Sequence, residues 1–143
     1  MRVHDAVRGA PVVAAPATTV AAVAALMNSE GVGAVVVVEH GAPIGIATDR
    51  DLVVRVLARR LDPGIPIIDV MSINLVTVDA QADLREATRL FANNRIRRLP
   101  VVKDGRVVGV LSVDDLVIDA VGDLATLVRP VVDGVVFGRR DRM

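Results

Sequence analysis

Cysteine is absent from this 143-residue chain, which removes disulfides, zinc knuckles, iron–sulfur clusters and thiol nucleophiles together. Aromatic residues make up 1% of it, Phe91 and Phe137 alone, too few to build a platform on which single-stranded bases stack. There is no surplus of positive charge either. Its 17 basic side chains balance 17 acidic ones, whereas domains that hold nucleic acid carry a basic excess to displace counterions. Two histidines, His4 and His40, stand far apart and show no metal-ligand spacing, so no metal site is expected. From Gly9 to Ser29 no residue is charged, and Arg2 and Arg8 precede the stretch, as in a signal peptide or a spanning helix. Pro11 and Pro16 interrupt it, Thr18 and Thr19 are polar, and most of its bulk is alanine. Export and membrane insertion are therefore not expected, and a cytoplasmic location is.

Hydrophobic residues, in contrast, reach 52%, with a mean hydropathy of +0.51, the signature of a folded chain. Sliding the sequence against itself by 64 positions aligns 5–57 with 69–121 without a gap. Asp5 falls on Asp69, Gly41 on Gly105, Gly45 on Gly109, Thr48 on Ser112, and Asp51-Leu52-Val53 on Asp115-Leu116-Val117. Valine matches arise by chance in a chain of this composition. The glycines and aspartates do not, because they coincide at the same punctuation points of one local pattern. A duplicated supersecondary unit is the first organising fact.

The second copy reads cleanly. Leu75 to Val78 is a short β-prone run, and Asp83 with Glu86 three residues on marks a helix start. Leu84, Ala87, Leu90 and Phe91 follow at helical spacing. Leu99 to Val102 and Val107 to Leu111 flank Asp104-Gly105, a hairpin turn whose two positions accept positive φ. A second helix opens after Ser112. The first copy replays this order, with Val12-Val13 as strand, Val20 to Met27 as helix, Val35 to Val38 and Ile44 to Ala47 around the His40-Gly41 turn, and a helix after Thr48. Leu61 to Pro66 is a linker rich in turn formers. One copy alone buries too little apolar surface to stand, so the two are expected to pack on each other.

These residues resemble a tandem pair of CBS domains, the module named after cystathionine β-synthase. The resemblance runs from Asp5 to about Val121 and is most specific at Asp69-Val70-Met71, at Arg98 to Val102 with Asp104 to Ser112, and at Gly45 to Val53. The last twenty residues, through Leu127 to Pro130 and Val135 to Gly138, resemble the tails of stand-alone bacterial members. The resemblance implies an α/β fold of small mixed sheets with helices, two CBS motifs packed sheet to sheet about a pseudo-two-fold axis. Motif 1 is expected over 1–61, motif 2 over 62–122, and a C-terminal tail over 123–143 that docks on the pair or on a dimer. It also implies a non-catalytic sensor whose two clefts hold adenosine-containing ligands (AMP, ADP, ATP, NAD or S-adenosylmethionine). No prosthetic group is implied; the partners are that small molecule, a second copy in a homodimer, and an effector protein that the sequence does not identify.

Thr48-x-x-Asp51 and Ser112-x-x-Asp115 admit two readings. A hydroxyl at the N-cap and a carboxylate three residues on satisfy orphan N–H groups of a helix, and nothing more is required. In the family pattern the aspartate takes both ribose hydroxyls, and the Thr or Ser lies near the phosphate. Recurrence at the same place in both copies favours the ligand role. Arg95, Arg97 and Arg98 form the densest basic patch, and Arg95 reads as a solvated face. Arg97 and Arg98 lead into the Leu99–Val102 strand, where family members place His or Arg against phosphates, and guanidinium groups suit that task.

Carried over residue by residue, the resemblance gives site A Thr48, Arg50, Asp51, Leu75, Val76, Arg97, Arg98 and Pro100. Site B receives Ser112, Asp115, Pro11, Val12, Gly33 and Ala34. Since Gly33 and Ala34 stand where the other copy has Arg97 and Arg98, the two clefts are expected to be unequal. A catalytic constellation is missing from this reading: neither histidine has an identifiable nucleophile, and Gly31-x-Gly33 precedes a strand, unlike a dinucleotide fingerprint. A ligand-free interaction scaffold, in which the hydroxyl–aspartate pairs are only caps, is the alternative, and a nucleotide hydrolase a weaker one.

Overall fold

A computed structural model of the chain describes residues 1–137. It divides into two compact units, 1–111 and 112 onward. The first unit contains two three-stranded sheets, β1-β2-β3 and β4-β5-β6, each with an α-helix between its first two strands. In the first copy β1 is Val13–Ala14, α2 Val20–Glu30, β2 Ala34–Glu39 and β3 Ala42–Thr48; a short helix α1, Val3–Ala6, comes before them. In the second copy β4 is Val78–Asp79, α4 Leu84–Asn94, β5 Arg98–Lys103 and β6 Arg106–Ser112. β1 runs parallel to β2 and β4 to β5, while β2 and β3 pair antiparallel. The fold class read from the sequence is the one observed.

Both hairpins turn on two consecutive residues of positive φ, His40-Gly41 (53° and 80°) and Asp104-Gly105 (51° and 76°). That geometry matches the right-handed twist of the flanking strands, which is why the sequence places Gly second in each. β2 is the central strand of its sheet, and Val35, Val36 and Val37 are fully buried; each stabilises the fold by about 1.5–3 kcal/mol relative to exposure. α2 buries Val20, Val23 and Met27, and α4 buries Ala87 and Phe91, one face of each helix.

The two copies are joined by a reciprocal exchange of their leading segments. Val3 N–H donates to the Ala82 carbonyl at 2.9 Å, and its counterpart Ile67 N–H donates to the Thr18 carbonyl at 2.7 Å. Leu84 N–H reaches the Met1 carbonyl at 3.0 Å, as Val20 N–H reaches Ile65 at 2.9 Å. His4 N–H donates to Ala80 at 3.0 Å, as Ile68 N–H does to Pro16 at 3.2 Å. Every pair is related by the 64-residue offset. Leu84 and Val20 are the first residues of α4 and α2, whose N–H groups have no partner within their own helices. Each copy's lead thus supplies what the other copy's helix start lacks. Val3 and Ile67 are fully buried at these junctions.

Three departures from the sequence reading have local causes. Leu75 to Thr77 do not join the strand, since Leu75 N–H turns back to the Ile73 carbonyl at 2.8 Å. Val12 lies outside β1, although its carbonyl accepts from Val36 N–H at 3.1 Å. The helix after Thr48 is α-helical only over α3, Asp49–Leu52, and widens to a π-turn over Val53–Leu57, closed by Ala58 N–H on the Val53 carbonyl at 2.8 Å. In the second unit one helix, α5, runs from Val113 to Phe137, so the stretch 123–137 continues a helix begun at the hairpin's end. No described helix is long and apolar enough to cross a membrane.

The exchange leaves no room at two glycines. A Cβ on Gly45 would stand 2.5 Å from Met71 Sδ, and one on Gly109 would overlap Cγ1 of Val7, the residue equivalent to Met71. Val7 is β-branched and stiff, so Gly109→Ala is expected to destabilise by about 1–3 kcal/mol in denaturant titration. Adding Val7→Ala should recover much of that loss; failure to do so would mean that the overlap is not the cause. Arg95 caps α4 at φ 52°, where the equivalent Gly31 caps α2 at φ 65°. Replacing Arg95 by Gly is expected to raise stability by about 0.5–1 kcal/mol, read in the same titration.

Candidate functional site

The hydroxyl–aspartate pair of the first copy sits where β3 ends and α3 begins. Thr48 Oγ1 accepts from Asp51 N–H at 3.1 Å, and Asp51 Oδ2 accepts from Thr48 N–H at 3.0 Å, a closed capping box. Beyond the box, Ser72 Oγ stands at the long end of hydrogen-bond distance from Asp51 Oδ2, 3.5 Å, and Arg55 Nε lies 3.8 Å from Asp51 Oδ1. Arg55 also donates to the Val70 carbonyl at 2.9 Å. The Asp51 side chain is 15% exposed. A carboxylate offers about four acceptor positions, so Oδ1 keeps room for further donors.

Ser72 belongs to the exchanged lead of the second copy. Its N–H and C=O pair with Ile46 of β3 at 2.9 and 3.0 Å, which fixes it beside the Thr48–Asp51 corner. Three residues on lies Leu75. The parallel pairing begins at Val78↔Val101, so Leu75 and Val76 lie on the irregular segment that leads into β4, while Arg97 and Arg98 stand at the start of β5. Leu75 and Val76 are half-buried, Arg97 is exposed, Arg98 is half-buried, and Pro100 is fully buried in the core. One guanidinium nitrogen of Arg98, Nη1, donates to the Arg97 carbonyl at 3.2 Å. Arg50 is exposed on the first turn of α3.

Of the residues assigned to site B, Pro11 and Val12 enter β1 and Gly33 and Ala34 enter β2. The register Val13↔Val36 puts Pro11 level with Ala34. Ser112 and Asp115 belong to the second unit, where Ser112 Oγ accepts from Asp114 N–H at 3.2 Å, one residue earlier than in the Thr48 box.

Three side chains that the sequence did not single out bear on these sites. Arg55 is four residues after Asp51, a spacing at which helix neighbours meet, and was open to inference. Ser72 acts through tertiary placement alone. Asp49 is the third. Its N–H donates to the Gly33 carbonyl at 3.0 Å, and its Oδ2 stands 3.1 Å from where a Gly33 side chain would begin. The strand entry of the first copy therefore carries a carboxylate where the second copy has Arg97, and Val113 stands in place of Asp49.

Comparison with known proteins agrees with this architecture. The family model described as CBS domain matches twice, over residues 3–58 and 67–121. The chain is 38% identical over 104 residues to the CBS domain-containing protein YhcV of Bacillus subtilis, covering 73% of this chain and 74% of that one. Among solved structures it is similar to the CBS domain protein PAE2072 from Pyrobaculum aerophilum complexed with AMP, at a TM-score of 0.75 and 28% identity, covering 81% of this chain and 90% of that one. It is also similar to a hexameric CBS-CP12 protein from bloom-forming cyanobacteria, at a TM-score of 0.72 and 28% identity, covering 82% of this chain and 69% of that one. Two family matches in the register of the internal repeat, on a structure whose halves exchange their leads, make the chain a member of the CBS domain family, carrying a tandem pair.

Proposed function

We propose that this protein is a non-catalytic regulatory module that binds adenosine-containing ligands, in the cytoplasm where free nucleotides circulate, and passes occupancy to an effector protein. The observation that carries the reading is the Asp51 carboxylate, held by Thr48 and Ser72 across the junction of the two copies with acceptor capacity left on Oδ1. Vicinal ribose hydroxyls are the donors that fit it. Leu75 and Val76 offer an aliphatic bed for adenine, and Arg97 and Arg98 at the same strand entries offer charge for a phosphate. Complexation of PAE2072 with AMP supports that ligand class. The module is proposed to act as a homodimer; a hexamer in the similar CBS-CP12 protein supports self-association in general.

The second reading is a scaffold without ligand, favoured by the closed capping box, which Thr48 and Asp51 complete without any guest. Thermal shift with AMP, ADP, ATP, NAD and S-adenosylmethionine separates the two, since a ligand of the native state raises the melting temperature by mass action. Calorimetry then tests the residues. Arg98→Ala is expected to weaken AMP about tenfold or more at one site and to spare adenosine, because a hydrogen bond to a charged group contributes ~1.5–3 kcal/mol. Asp51→Ala is expected to weaken both ligands there, as both carry the ribose diol. The unequal charge of the strand entries makes site A the tighter site for AMP, with Asp49 at Gly33 opposing a phosphate in the other copy. No shift with any of the five ligands, or an Asp51→Ala that lowers only the melting temperature, would leave the scaffold. Turnover of a nucleotide would overturn the non-catalytic reading.

A further inference from the structure

Arg55 brings far more hydrogen-bonding capacity to the Asp51 corner than the corner uses. Among the described residues its guanidinium makes one hydrogen bond, from Nη1 to the Val70 carbonyl at 2.9 Å, out of five N–H donors. Its Nε stands 3.8 Å from Asp51 Oδ1, an ion-pair distance too long for a hydrogen bond. Asp51 Oδ2, in contrast, accepts from Thr48 N–H at 3.0 Å and faces Ser72 Oγ at 3.5 Å. An open donor and an open acceptor thus stand side by side without meeting. The Arg55 side chain is 38% exposed, so the gap is reached from solvent. A hydroxyl group fits such a pair, because it donates one hydrogen and accepts on two lone pairs. With bonds of about 2.8 and 2.9 Å, one hydroxyl oxygen reaches both atoms at once.

The backbone around Arg55 departs from the repeat at the same place. Arg55 sits in the π-turn Val53–Leu57, where Ala58 N–H reaches the Val53 carbonyl at 2.8 Å and Leu61 N–H the Val56 carbonyl at 3.0 Å. The equivalent residues 117–121 are ordinary α-helix, and Asp119 is the equivalent of Arg55. Single π-turns inside helices are rare and concentrate at functional sites. Here the turn occurs in the copy whose helix carries a donor for the exchanged lead. We propose that Arg55 is a ligand-binding residue, whose Nε–H and Asp51 Oδ1 clamp one ribose hydroxyl between them. The hydroxyl donates to the carboxylate and accepts from the guanidinium. The proposal rests on the reading of Thr48 and Asp51 as the ribose corner, and it adds the donor that the carboxylate lacks.

Calorimetry with AMP, 2′-deoxy-AMP and 3′-deoxy-AMP tests the clamp as a double-mutant cycle. The wild type is expected to prefer AMP to both deoxy ligands. For the ligand that lacks the clamped hydroxyl, that preference should shrink about tenfold in Arg55→Ala, where the charged partner of that hydroxyl is gone. Arg55→Lys keeps the charge without the Nε–H and should show the same shrinkage. An Arg55 that only ties the helix to Val70 would weaken all three ligands by one factor. Unchanged ratios would therefore overturn the clamp. Hydrogen exchange supplies a second readout: bound AMP should slow the amides of Ala58 and Leu61 in the wild type and not in Arg55→Ala. Equal slowing in both would also overturn it. Failure of the wild type to bind AMP would overturn the ribose corner itself, whereas binding with unchanged ratios removes Arg55 alone.

Discussion

The exchange of leading segments is the contact on which the rest of the first unit depends. A copy of some fifty residues has one short parallel strand pair, one hairpin and one helix that begins with unpaired N–H groups. It can neither close its core nor, with its own cap residue (Thr19 or Asp83) serving a later N–H, satisfy the first N–H of its helix. The partner copy's lead does both at once: Val3 and Ile67 fill the two gaps, and the carbonyls of Met1 and Ile65 take the first helical N–H of α4 and α2. Six hydrogen bonds in three pairs, each pair repeated at the 64-residue offset, make the junction symmetric. That symmetry explains why Gly45 and Gly109 recur. Each is the place where the other copy's lead crosses a strand, on Met71 in one case and Val7 in the other.

The candidate site is a by-product of the same junction. Thr48 and Asp51 alone form a cap, as they would at any helix start. They become more than a cap because Ser72 and Val70, on the exchanged lead, bring the second copy against them through Asp51 and Arg55. The lead then runs on to Leu75 and Val76 at the entry to β4. A ribose, an adenine and a phosphate need a diol acceptor, an aliphatic bed and a cation within the span of one nucleotide. Swapping the leads sets the Asp51 carboxylate of one copy beside Ser72 of the other, on the segment that runs on to Leu75 and Val76.

Much of this was legible in the sequence, because punctuation survives duplication. Gly41 and Gly105 mark both hairpins, Asp83 marks the start of α4, and the offset of 64 sets the equivalences between the copies. What was not legible was tertiary. Nothing local says that Ser72 lies against Ile46, or that Leu75 bends back on Ile73 and so delays β4 by three residues. The π-turn at Val53–Leu57 was hidden for a different reason: its residues have ordinary helical spacing, and the extra residue per turn is a matter of which carbonyl each N–H reaches. Asp49 was visible as an acid in the first turn of a helix, where it suits the dipole. Its position over Gly33 is set by the packing of α3 on the start of β2.

Divergence of the two strand entries places unlike charges on a symmetric frame. Two substitutions suffice. Where the first copy has Gly33 beneath Asp49, the second has Arg97 and Val113, so one entry is negative and the other positive with the backbone unchanged. Asp49 and Arg97 are both exposed, and their influence on a bound anion is screened over about a Debye length, ~8 Å at physiological salt. A fold made symmetric by exchange can in this way carry two strand entries of opposite charge, because backbone geometry depends on the repeat while charge depends on single side chains.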